Sequence, residues 1–249
     1  MKRFEGKKIL ITGGTSGIGL ETAKIIANEG GQLIVTGFSK KRVEATKEIL
    51  PKNSLVLQSD ASDPKSIKML LDGIKDEFGN LDAAFLNAGL AELANTEDID
   101  EEHIDKMINI NFKGVALYFS QLKHMMNKNS SIAVTSSVGS YLGTPNAALY
   151  CACKAAVVTL ARSFAQDFAP LEIRVNTLSP GFTKTNFYSS SGIQNDEVDQ
   201  MSSFVENRVT LGRYATPKEL AKGAVFLLSN VSSYMTGSEL ISDGGLTLR

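Results

Sequence analysis

Residues 8–29 constrain the fold more than any other stretch. Lys8-Ile9-Leu10-Ile11-Thr12 is a short apolar run, partly β-branched, that stops at glycines. Unbroken apolarity over so few residues fits a strand buried on both faces, as in a parallel sheet. Gly13, Gly14, Thr15, Ser16, Gly17, Ile18 and Gly19 come next, and a helical pattern runs from about 20 to 29. Strand, glycine turn and helix N-terminus in that order make a cradle for a pyrophosphate. Glycines let the backbone come close, and the free N–H groups with the helix dipole attract the anion. The spacing from Gly13 to Gly19 is G-x-x-x-G-x-G, not the G-x-G-x-x-G of the general dinucleotide pattern.

The same alternation continues along the 249 residues. Apolar runs at 32–37, 55–60, 81–86, 131–135, 173–178 and 236–245 read as six more strands. Asp63-Pro64 reads as an N-cap with proline in the first turn of a helix that runs to Phe78 and closes at Gly79. A long helix is expected over 99–126, another through Tyr150 to about Phe168, and a third opened by the capping box Thr216-Pro217-Lys218-Glu219. Seven strands alternating with helices imply a single-domain α/β fold over 1–249, a Rossmann-type doubly wound parallel sheet with helices on both faces. No linker, repeat or low-complexity tract divides it.

Composition narrows the function classes. A formal net charge of -1 lacks the basic footprint of a nucleic-acid binder. No apolar run is read as approaching the ~20 residues of a membrane span. The basic start has no apolar h-region, so it does not read as a signal peptide, and a reducing cytoplasm is expected. Cys151 and Cys153 lie one residue apart on one helix and point in different directions, so no disulfide is expected between them. His103 and His124 are isolated, and no metal site is expected.

The second organising feature is Ser137 to Lys154, SVGSYLGTPNAALYCACK. Tyr150 and Lys154, four apart on a helix, share a face with Cβ atoms roughly 5–6 Å apart. A cation there favours the phenolate and is expected to lower the tyrosine pKa from its usual ~10. Ser137, after the preceding strand, places a hydroxyl toward the same spot. Asn111, in the motif Asn-Ile-Asn-Phe-Lys-Gly, lies on the apolar face that Ile104, Met107, Ile108, Phe112, Val115 and Phe119 give the 99–126 helix, where an unpaired amide would be costly.

Taken together, Thr-Gly-x-x-x-Gly-x-Gly, Asn87-Ala88-Gly89, Asn111, Ser137, Tyr150-x-x-x-Lys154 and Pro180-Gly181 resemble the short-chain dehydrogenase/reductase family, in the branch of about this length. Each motif is weak alone; their order over nearly the whole chain is specific. The resemblance implies an NAD(P)-dependent oxidoreductase acting on a carbonyl or alcohol. It implies that Asn111 anchors a water leading to Lys154, that Ser137 hydrogen-bonds the substrate oxygen, and that Tyr150 is general acid or base. Lys154 would lower the tyrosine pKa and bind the nicotinamide ribose. Gly13, Thr15, Ser16, Gly17, Ile18 and Gly19 would hold the pyrophosphate. Asp60 and Ala61 would meet the adenine, and Asn87, Ala88 and Gly89 a ribose. The backbone after Pro180-Gly181 would hold the carboxamide, with Thr183 and Thr185 near a phosphate. A homodimer or homotetramer is implied as well.

Cofactor preference rests on the residues just beyond the second strand. Phe38, Ser39, Lys40, Lys41 and Arg42 stand where an acidic residue would select NAD. With no carboxylate to repel a 2′-phosphate and three cations just beyond, NADP is expected. The family's NADP type carries Arg where Phe38 stands, or a basic residue where Ser16 stands, and this chain has neither. Residues 182–213, polar and irregular, read as a substrate lid, with Tyr141, Leu142, Phe187 and Tyr188 as pocket walls. A 3-oxoacyl-carrier-protein reductase is an alternative, weakened by the absence of basic residues in Leu90-Ala91-Glu92-Leu93-Ala94. A non-catalytic dinucleotide-binding sensor is the alternative from another class.

Overall fold

The computed structural model describes residues 2–185 and 195–248. Its centre is one parallel sheet of seven strands: β1 (Lys8–Thr12), β2 (Gln32–Gly37), β3 (Leu55–Gln58), β4 (Leu81–Leu86), β5 (Met126–Thr135), β6 (Ile173–Pro180) and β7 (Glu239–Ser242). Their order is β3-β2-β1-β4-β5-β6-β7. All neighbours are parallel, with Leu10 opposite both Ile34 and Ala84. The order reverses between β1 and β4, so the connections leave the sheet on opposite sides there and open a crevice at the carboxyl ends of the strands.

The strands are apolar throughout because both faces are covered. Leu10, Ile34, Ala84, Leu86, Ile132 and Val134 pack with α3 (Pro64–Phe78), α5 (Gly114–Leu122) and α6 (Ala148–Phe168). The alternate residues Ile9, Ile11, Leu33, Val35, Ala83 and Phe85 pack with α1 (Gly17–Asn28), α2 (Lys40–Ile49) and α8 (Pro217–Leu228). The expected doubly wound architecture is therefore present. Local signals hold at helix ends: Asp63 accepts from the N–H groups of Lys65 and Ser66, and Thr216 and Glu219 complete the capping box.

Three expectations are corrected. The helix expected over 99–126 is α4 (Glu101–Ile108), a π-turn at Asn109–Lys113, and α5. Asp100 caps its start by accepting from His103 N–H. The amide of Asn111 donates to Met107 carbonyl at 3.1 Å, occupying the acceptor its own backbone N–H would use in an α-helix. The helix stops at Leu122, and Met126 already belongs to β5. Second, 182–213 is not irregular throughout. Asn195–Arg208 forms α7, whose Val205 is buried together with Val209 just beyond it, against Val138 and Leu246. Valines four apart on a helix share one face, a signal hidden by the polar residues around them. Phe187 and Tyr188 lie outside the described residues. Third, Ala148–Leu171 is long and apolar enough, by length and composition, to cross a membrane. Here it packs along the sheet, with Val157, Ala161, Ala165 and Phe168 in the core.

Candidate active site

The glycine turn is shaped by close approach. Gly13 has φ 62°, and a Cβ on it would lie 2.9 Å from Ala88 Cα. A Cβ on Gly19 would lie 2.6 Å from the carbonyl oxygen of Gly13 and 2.7 Å from Asn87 Nδ2. Nothing larger than hydrogen fits at either position. The first turn of α1 holds no acidic residue, so its positive end is left for an anion. Gly17 brings the pocket's far wall near: a Cβ there would stand 3.4 Å from Thr185 Cγ2. Thr183 is buried and its hydroxyl donates to Gly181 carbonyl at 2.9 Å.

Asn87 stitches three strand ends together. Its Nδ2 donates to the carbonyls of Thr12 and Gly13 at 3.3 and 3.2 Å, and its Oδ1 accepts from Thr135 hydroxyl at 3.2 Å. Thr12 hydroxyl accepts from the N–H groups of Asn87 and Ala88 at 3.0 and 3.1 Å. Thr12 opens the glycine motif but carried no assigned role there, and Thr135 was not legible as a site residue, because its hydroxyl closes a contact between segments remote in sequence. Around the adenosine end, Asp60 accepts from Ser62 N–H at 2.8 Å, fixing the turn through Ala61. Phe38 is 72% exposed, and Ser39 caps α2. Lys40, Lys41 and Arg42 are exposed, and no carboxylate among the described residues pairs with them.

Tyr150, Lys154, Ser137 and Asn111 converge where β4 and β5 end. Lys154 Nζ sits 5.7 Å from the Tyr150 ring centroid and donates to Thr135 carbonyl at 3.0 Å. Ser137 hydroxyl hydrogen-bonds Tyr150, and also accepts from Gly139 N–H at 3.1 Å. Asn111 is fully buried. Its Oδ1 accepts from Leu90 N–H at 3.1 Å, and its Nδ2 donates to Leu90 carbonyl at 2.8 Å. Gly89 separates it from the lysine: a Cβ there would lie 3.0 Å from Asn111 Oδ1 and 3.2 Å from Lys154 Nζ.

The electrostatics correct one expectation. Burial pushes the Tyr150 phenol up to about 12, outweighing the downward pull of the Ser137 hydrogen bond. Burial likewise brings the Lys154 ammonium down to about 8. The cation expected to lower the tyrosine pKa is itself desolvated, so in the protein alone the tyrosine is held protonated. Tyr141 is 52% exposed, with its hydroxyl on Glu239, and Leu142 packs with Val138 beside Ser137. Phe182 stacks edge-on against Phe204 and Tyr214, ring centroids 5.7 and 6.2 Å apart. No metal-binding cluster occurs among the described residues.

Residues 13–247 match a family model described as enoyl-(acyl carrier protein) reductase. The structure superposes on a short-chain dehydrogenase/reductase from Serratia marcescens with TM-score 0.89 at 28% identity, covering 98% of this chain and 99% of that one. The chain belongs to the short-chain dehydrogenase/reductase family. Within it, the chain is 35% identical over 253 residues to the uncharacterized oxidoreductase YxbG of Bacillus subtilis, covering 99% of this chain and 93% of the relative. It is 34% identical over 251 residues to the 3-oxoacyl-[acyl-carrier-protein] reductase FabG of Thermotoga maritima, at 99% and 100% coverage. As a short-chain dehydrogenase/reductase the chain is an oxidoreductase of a family that binds NAD or NADP. The glycine cradle, the unneutralised α1 terminus and Thr185 beside Gly17 are what such a cofactor needs.

Proposed function

We propose that this chain interconverts a small carbonyl compound and its alcohol, with NADP(H) as cofactor and Tyr150 as general acid or base. The supporting observation is the Ser137–Tyr150–Lys154 arrangement at the carboxyl end of the sheet, next to the glycine cradle. NADP(H) supplies or accepts the hydride when bound. A substrate oxygen between Ser137 and Tyr150 would meet two hydroxyl donors, which favours negative charge developing there during reduction. A phenol held at about 12 keeps its proton at neutral pH and can donate it to that oxygen. Lys154, its Nζ 5.7 Å from the Tyr150 ring centroid, would stabilise the phenolate left behind, and Asn111 would anchor a water leading to the ammonium. Pro180 and Gly181, Thr183 and Thr185 would hold the nicotinamide and phosphate ends; Phe38, Ser39 and Lys40 would border the adenosine ribose. The NADP preference rests on Lys40, Lys41 and Arg42, exposed and without carboxylate partners among the described residues.

We further propose a cytoplasmic homodimer or homotetramer whose α7 covers the Ser137 turn, since Val205 packs on Val138. Tyr150→Phe tests the central assignment. Turnover of ketones and aldehydes should fall by about a hundredfold or more, while the fluorescence-measured Kd for NADPH stays close to wild type. A variant retaining most of the turnover refutes the role. The likeness to a 3-oxoacyl-[acyl-carrier-protein] reductase supports a second reading. A kcat/KM far higher for a carrier-bound 3-oxoacyl thioester than for free ketones would favour it.

A further inference from the structure

Glu239 opens β7 with its side chain only 6% exposed. A carboxylate that dry is costly unless donors surround it. Oε1 accepts from Ser179 hydroxyl on β6, and Oε2 accepts from Tyr141 hydroxyl. Arg162 of α6 adds a guanidinium 3.5 Å from Oε2. The two hydroxyls come from two segments that border the candidate active site. Ser179 immediately precedes Pro180-Gly181. Tyr141 ends the turn that starts at Ser137, in which Ser140 N–H donates to Ser137 carbonyl and Tyr141 N–H to Val138 carbonyl, both at 3.0 Å. That turn rests on the catalytic helix: a Cβ on Gly139 would lie 3.8 Å from Tyr150 Cε1 and 3.0 Å from Cys151 Sγ.

We propose that Glu239 is a positioning residue that clamps the Ser137 turn, through Tyr141, to the end of β6 at Ser179. The clamp sets how far the substrate-polarising hydroxyl of Ser137 stands from the Pro180-Gly181 turn. Without it, Tyr141 keeps only the weaker contact with Arg162 of α6, and the turn loses its tie to β6 while Val138 stays packed on Val205 and Leu246. The catalytic consequence rests on the carbonyl-reduction reading above; the mechanical one does not. Arg162, exposed and at the edge of bonding distance, contributes least.

The test combines steady-state kinetics, NADPH affinity and amide hydrogen exchange on Glu239→Ala, Glu239→Gln and Tyr141→Phe. Misplacing a reacting group by about 1 Å can cost as much as a hundredfold. Glu239→Ala and Tyr141→Phe should therefore lower kcat by about tenfold or more, with NADPH affinity unchanged. Exchange at residues 139–142 should accelerate in both. Glu239→Gln should recover most of kcat, because the amide oxygen still accepts from one hydroxyl and the amide N–H donates to the other, keeping both contacts in weaker, uncharged form. Tyr141→Phe changes one half-exposed hydroxyl and keeps the test sound if Glu239→Ala does not fold. Unchanged kcat in Tyr141→Phe, or glutamine no better than alanine, overturns the positioning role. Should the wild type turn over no carbonyl at all, the functional reading falls and exchange alone decides: unaltered protection at 139–142 in Tyr141→Phe overturns the clamp.

Discussion

A lysine that is 3% exposed, with a carbonyl oxygen as its close partner, carries charge at neutral pH only at a cost to folding. Its pKa of about 8 in the fold lies below the ~10.4 of an unfolded lysine. Between those values the unfolded chain holds more protons, so stability rises with pH across that window. Below pH 8 the full penalty applies, on the order of 3 kcal/mol. Lys154→Met keeps the shape and removes the charge. In the cofactor-free protein it should raise Tm at pH 7 by several degrees while abolishing turnover. The gain should shrink as pH climbs from 8 toward 10; above ~10 Tyr150, raised to about 12, lowers the stability of wild type and variant alike. Melting curves across that range check it; a variant less stable than wild type at pH 7 contradicts the burial argument.

Among the elements, the α4–α5 pair shows how a side chain reshapes a helix around a site. Asn111 diverts the Met107 carbonyl and widens one turn, which seats its amide behind Gly89. The next helix, α5, is held by aromatic packing: Phe119 stacks on Phe164 with ring centroids 4.7 Å apart and meets Phe168 edge-on at 6.2 Å. Phe119 is fully buried between α5, α6 and the sheet. Phe119→Ala should destabilise the protein by about 3–5 kcal/mol, read as a lower urea midpoint with unchanged slope. Because α6 carries Tyr150 and Lys154, kcat should fall as well. A loss under about 1 kcal/mol would mean the aromatic cluster repacks around the gap.

Over the whole molecule, the site exists because three strand ends meet. β1 supplies the glycine turn, β4 the Asn87-Ala88-Gly89 turn, and β6 the Pro180-Gly181 turn, all at the carboxyl edge of one sheet. A cofactor lying across them binds the folded chain alone, so it stabilises by mass action. At about 100 times its Kd the gain is about 2.7 kcal/mol, or roughly 5–10 °C in Tm for a chain of this size. NADPH should produce that shift at lower concentration than NADH if Lys40, Lys41 and Arg42 meet a 2′-phosphate. The reverse order in a thermal-shift titration would overturn the NADP assignment.

Much of this was legible from order and spacing. Buried strands, the glycine turn, the Asp63 and Thr216 caps and the Tyr150–Lys154 face come from short-range sterics and helix periodicity, which neighbouring residues carry by themselves. The π-turn, α7, the upward shift of the Tyr150 pKa and the Glu239 clamp were not. A pKa depends on how much water the fold removes, and no spacing of four residues states that. Glu239 and Tyr141 are 98 residues apart, and nothing local to either marks the other as its partner. The sequence alone determined which chemistry stands on which element. Tertiary packing decided the protonation of those groups and what holds them in place, because both depend on burial and on contacts between distant segments.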